Sequence, residues 1–304
     1  MGGAGNWGRR PPQEIHRTNL MRAVYIPKKI DTQATPHRID FGAGAHAHRS
    51  IGEALRTLTS VSVYSDYLYY SPLGFFHYGS HPYRLPRYVF LGPAANDEPI
   101  KLGLFAALNG DEPEGTQALV EFLLRLDLEP ERARGYQIFA YPVTNPTGFE
   151  DGTRATRRGH DLSQELWNGS RQPEAYYIER ELGVLQFHGI VRLRSNEESN
   201  GVIAIVPSPT LTTALVHPAL KAASKFLPPC KSREGEPVVP AATAGRNRYE
   251  WGLGNPAELK PAPFELTFET PRKAPPELQA KAAVAALNSL IEEYRPFLAA
   301  RQNI

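Results

Sequence analysis

Two kinds of hydrophobic spacing alternate along the chain. Ser50 to Leu58 has helical spacing behind Ser50, whose hydroxyl suits an N-cap, and Val61 to Tyr69 alternates β-branched and aromatic residues as a strand does. Tyr88 to Leu91 and Leu102 to Leu108 are short apolar runs bounded by turn residues, the pattern of strands covered on both faces. After Asn109-Gly110-Asp111 the spacing predicts a helix with Pro113 in its first turn and Ala118, Leu119, Phe122, Leu123 and Leu126 along one side. Strands over Tyr136 to Tyr141, Ile190 to Leu193 and Phe264 to Phe268 follow, with helices over Glu174 to Phe187 and Thr210 to Phe226. Pro275 opens a last helix whose Val284, Leu287, Ile291 and Tyr294 recur every three or four residues. Strands alternating with helices predict a largely parallel or mixed sheet covered on both faces, which binds ligands beyond the carboxyl ends of its strands.

Composition narrows the function. Lys and Arg number 34 against 32 Asp and Glu, a net charge of +2 with the signs interspersed, which argues against nucleic acid as the main partner. The apolar fraction of 41% supports a full core, yet Leu104 to Leu108 is far too short to cross a bilayer, so no membrane partner is expected. Cys230 is the single cysteine, which excludes an intramolecular disulfide and a thiolate zinc cage. Gly2 to Pro12, Pro27 and Pro36 predict an extended or partly disordered tail over residues 1–38, with the domain at 39–304. Arg9 and Arg10 have no apolar stretch behind them, so a cytoplasmic location is expected.

The densest chemistry lies in Leu108-Asn109-Gly110-Asp111-Glu112-Pro113-Glu114-Gly115. With Asn145-Pro146-Thr147-Gly148-Phe149, Arg154 followed by Gly159-His160-Asp161-Leu162, and Leu266-Thr267-Phe268-Glu269-Thr270-Pro271, this turn resembles, in order, the motifs of the zinc carboxypeptidases and their succinylglutamate desuccinylase/aspartoacylase relatives. The resemblance covers roughly residues 60–295 and implies a single α/β domain with a mixed, mostly parallel twisted sheet of about eight strands and helices on both faces. It makes Glu112 the carboxylate zinc ligand, Glu269 the general base and Arg154 the oxyanion or carboxylate clamp. A hydrolytic zinc needs three protein ligands and an open position for a water whose pKa it lowers to about 7.

The match departs at the ligands. Asn109 and Arg194 stand where the resemblance implies histidines, and Ser163-Gln164 stands where it implies the Asn-Arg pair that grips a substrate carboxylate. An amide oxygen is a poor zinc ligand and a guanidinium none, since it offers only donors. His46, His48, His160 and His188 lie at no spacing that completes a set with Glu112 and read as surface or locally bonded histidines. Tyr64, Tyr67, Tyr69, Tyr70, Phe75 and Phe76 read as packing; Tyr249 or Trp251 could line the pocket or pack in a loop; Glu197 and Glu198 read as solvated charges. Glu112, Arg154 and Glu269 are either a site or a salt-bridge remnant. The leading expectation is a catalytically inactive homologue or binding module with a charged cleft for a carboxylate-bearing small molecule or peptide, without a cofactor. The alternatives are a metallo-hydrolase with a nonstandard zinc site, or a structural subunit with a relic pocket. Charge arithmetic further predicts that Arg194 pairs with Glu112, Glu269 or both, with Arg154 as the second balancing cation.

Overall fold

The computed structural model describes residues 48–95, 98–231, 253, 259 and 262–302; the tail over 1–38, Tyr249 and Trp251 lie outside them. The first element, α1 (Ile51–Tyr64), starts at Ser50, whose Oγ accepts from the Glu53 amide at 3.2 Å. It runs past Leu58 and absorbs the first half of the strand expected over Val61 to Tyr69. Ile51, Leu55, Leu58 and Val61 share the face that meets the core, so helical burial overrides β propensity there. Only β1 (Leu68–Tyr70) remains of that strand. The hairpin β2 (Leu73–Tyr78) and β3 (His81–Leu85) stands apart from the main sheet, followed by β4 (Tyr88–Leu91) and β5 (Ile100–Phe105). β5 ends three residues before the expected Leu108, because Ala107 adopts a left-handed φ of 48° that turns the chain out of the sheet.

Next come α2 (Pro113–Leu128), β6 (Tyr136–Tyr141), α3 (Pro146–Asp151), α4 (Leu162–Glu165), α5 (Pro173–Leu185), β7 (Gly189–Asn196) and β8 (Ile203–Ile205). The helix expected over Thr210 to Phe226 runs over 209–223 with a π turn at Thr212–Val216 ahead of α6 (His217–Ala223), where Pro218 has no N–H to continue the regular ladder. β9 (Phe264–Pro271) and α7 (Pro276–Gln302) complete the fold.

The main sheet has seven strands in the order β1-β4-β6-β5-β7-β9-β8, rather than about eight. β6, β5, β7 and β9 run parallel, and β1, β4 and β8 join antiparallel at the edges. One face carries Leu104, Ile138, Val191, Leu193, Leu266 and Phe268 into a continuous core with α1, α2, α6 and α7. On the other face Phe105 stacks on Tyr141 with centroids 4.4 Å apart, and Phe187, just beyond α5, meets Phe105 and Phe139 edge-on. Helices thus cover both faces, and the carboxyl ends of the parallel strands open at one rim.

Candidate functional site

The rim is built from the turn after β5. Thr144 and Asn145 donate their amides to the Ala106 and Ala107 carbonyls at 3.1 and 2.9 Å, which holds the left-handed turn in place. Asn145 caps α3, accepting from the Gly148 amide at 2.9 Å, and donates to the Arg154 carbonyl at 3.2 Å. Gly110 packs so closely on this turn that a Cβ would fall 2.0 Å from the Gly148 carbonyl carbon. The two motifs of the sequence are therefore one interlocked unit.

Two carboxylates are buried at the rim. Glu112 is 4% exposed; Asn109 Nδ2 donates to its Oε1 at 2.6 Å and the Ser195 amide to its Oε2 at 3.2 Å. Burial pushes its pKa up, against the lowering influence of the Asn109 bond, of Arg194 and Arg192, and of the Ser195 amide. Glu269 Oε1 lies 3.3 Å from Arg194 Nη1, both side chains being under 10% exposed, and Glu269 Oε2 accepts from Asn196 Nδ2 at 2.8 Å. Register makes these contacts: β7 extends to Asn196 and β9 to Pro271, beyond the ends expected at Leu193 and Phe268, and Arg194 lies directly opposite Glu269.

The strand also holds a residue that the sequence reading passed over. Arg192 lies two positions before Arg194 on the same face and is 2% exposed; burial, with Arg194 beside it, lowers its pKa to about 10 while Glu112, Glu265 and Glu269 oppose the shift. The signal was present in Val191-Arg192-Leu193-Arg194, where every second position of a buried strand is an arginine. Arg154, the expected second cation, is held chiefly by Asp161, although Glu112 and Asp111 also act on it. Its Nε donates to Asp161 Oδ2 at 2.9 Å, its side chain is about half exposed, and that bond raises its pKa.

Asp161 caps α4, accepting from Ser163 through both Oγ (2.6 Å) and N (3.0 Å), which engages the Ser163 hydroxyl, and Gln164 is exposed. His160 Nδ1 is 2.8 Å from Glu165 Oε1. His188 accepts from the Lys101 amide at 3.0 Å, at the amino ends of β5 and β7, and so at the opposite edge from Glu112. Arg272, also unforeseen, bonds Asp111 through the carbonyl (3.2 Å) and Oδ2 (2.7 Å) and reaches Glu197 at 3.3 Å, although Glu197 stays solvated at 73% exposure. Among the described residues no group of three or more His, Cys, Asp or Glu side chains could hold a metal ion. The donor set at the rim, an amide and a guanidinium beside Glu112, does not fit zinc.

No family model matches the chain, and no curated protein does. Solved structures do resemble it in fold. A candidate metallopeptidase from Shewanella amazonensis SB2B shares 20% identity at a TM-score of 0.58, over 79% of this chain and 90% of that one. A metallo-carboxypeptidase from Burkholderia cenocepacia shares 13% at 0.61, over 81% and 68%. A metallo-carboxypeptidase from Pseudomonas aeruginosa, in complex with (2-guanidinoethylmercapto)succinic acid, shares 17% at 0.59, over 79% and 68%. At these identities the likeness establishes the fold: a single α/β domain of the metallo-carboxypeptidase kind. Among the described residues no helix is long and apolar enough to cross a membrane.

Proposed function

We propose that this chain is a binding module on a metallo-carboxypeptidase fold, which takes a small molecule or peptide through its carboxylate at the ends of β5, β7 and β9 and does not hydrolyse it. The observation that carries this reading is the buried Arg194–Glu269 pair. A general base must be free to take a proton from water, whereas Glu269 is engaged by Arg194 at 3.3 Å and by Asn196 at 2.8 Å. Asn109 and Arg194 supply no imidazole for zinc, and without a metal there is neither a low-pKa water nor a Lewis acid. Arg154, half exposed and using one donor on Asp161, retains others for a ligand carboxylate. The succinic acid compound bound by the Pseudomonas protein supports a carboxylate ligand.

The purified protein should retain no stoichiometric zinc after dialysis and show no turnover of C-terminal peptide or N-acyl amino-acid substrates. Dicarboxylates should raise its melting temperature by mass action, an effect lost in Arg154→Ala. One equivalent of zinc, abolished in Glu112→Ala and accompanied by chelator-sensitive turnover, would instead establish a hydrolase with a nonstandard metal site. The retention of both Glu112 and Glu269 favours that second reading. A melting temperature indifferent to every carboxylate would leave a structural subunit.

A further inference from the structure

We infer that Arg194, with Arg192 behind it, is a covalently held substitute for a divalent cation: the chain loads its own rim with two positive charges against Glu112 and Glu269. Both carboxylates are buried, Glu112 being 4% and Glu269 6% exposed, Glu112 in the turn after β5 and Glu269 near the carboxyl end of β9, the two parallel strands on either side of β7. Two carboxylates so placed repel unless a cation lies between them or one takes up a proton. A metal ion supplies that charge only when it is present. A guanidinium on β7 supplies it permanently, with planar donors that suit carboxylate oxygens.

The arrangement on β7 fits that role. Arg192 and Arg194 project from one face at i and i+2, opposite Thr267 and Glu269 on β9, and both interact electrostatically with Glu112 across the β5 turn. Asn109 completes the exchange: an imidazole would offer a lone pair to a metal, whereas the Asn109 amide donates to Glu112 at 2.6 Å and so acts as a further positive pole toward the same carboxylate. Arg192 thus joins the expected pair of Arg154 and Arg194, for Arg154 is bonded to Asp161 yet still acts on Glu112. This inference rests on the metal-free reading proposed above but needs no ligand.

A double-mutant cycle on the full chain tests it. Arg194→Met should lower the melting temperature by roughly 10 °C, and adding Glu269→Gln should recover at least about half of that loss, because the second change removes the carboxylate left without its partner. Arg194→Lys, which keeps the charge without the fork, should fall between. Separately, Asn109→His combined with Arg194→His should bind about one zinc per chain and be stabilised by it, while zinc or chelator shifts the wild-type protein by less than about 1 °C. Losses that simply add in the cycle, or a wild-type protein stabilised by zinc, would overturn the inference. Should Arg194→Met fail to fold, the zinc response of the two-histidine variant decides alone, and its absence counts against the inference. Carboxylate binding is read independently, so it can fail while the cation substitution stands.

Discussion

Glu174 shows how a single buried acid ties stability to pH. It lies in the first turn of α5 with no exposed surface, accepts from the Tyr78 hydroxyl at 3.2 Å, and burial raises its pKa despite that bond, its own amide and the nearby Arg158 and His160. A carboxyl group whose folded pKa lies above its unfolded value binds more protons when folded. The stability it contributes is complete below the unfolded pKa and is lost as pH rises through the folded one. Glu174→Gln keeps an acceptor for Tyr78 and cannot ionise. The variant should therefore gain on the wild-type protein as pH rises from about 4 to 7, in paired urea titrations at each pH. A difference that is flat with pH would show that Glu174 is not protonated more readily in the fold than outside it.

At the scale of elements, β7 and β9 decide what the rim can do. Their register sets Arg194 against Glu269 and Ser195 against Thr270, and Arg272, one residue past β9, clasps Asp111 in the β5 turn and Glu197 in the loop after β7. Because the Arg272 side chain is 30% exposed, its ion pairs are screened, and Arg272→Ala should cost only about 0.5–1.5 kcal/mol. The larger effect should be local: faster amide exchange over Asn109 to Glu112 with β5 unchanged. Equal exchange in the two proteins would assign the clasp no role in ordering the turn.

The same elements show what was legible in the sequence. Tyr136 to Tyr141 was read to the residue, since every one of its positions is buried and turns bound it, and the apolar side of α2 was read in full. The hydrophobic pattern alone stops short of the ends of β7 and β9, and only the resemblance carries β9 on to Glu269, because their last residues are polar and read as loop unless a partner across the sheet satisfies them, as Asn196 satisfies Glu269. Arg192 was missed for a related reason. Its alternation with Arg194 was visible, but the carboxylates that give it a role, Glu112 and Glu265, come from elements far apart in the chain. The turn at Asn109 to Glu112, by contrast, is local, and its motif was plain.

Among the described residues, α7 packs between α2 and α6 and enters the core that the sheet shares with them. Leu287, Leu290 and Ile291 of α7, each about 2% exposed or less, enter the same core as Leu104, Ile138 and Val191, and the Tyr136 hydroxyl of β6 donates to the Ile291 carbonyl at 2.7 Å. Part of the apolar face of the parallel strands therefore depends on a segment that lies some 150 residues beyond Tyr136 in sequence, alongside what α1, α2 and α6 cover. Leu287→Ala removes part of that shared contact and leaves a cavity among side chains that are packed on every side. The expected loss is about 2–5 kcal/mol of global stability, measured by urea unfolding at neutral pH. If the core is one cooperative unit, amide protection in β4, β5, β6 and β7 should fall together by the same free energy, although β4 and α7 are remote in the chain. A loss confined to α7 and the strands nearest it, with β4 and β6 keeping wild-type protection, would mean that the sheet folds in separable parts and that the rim can open without unfolding the rest.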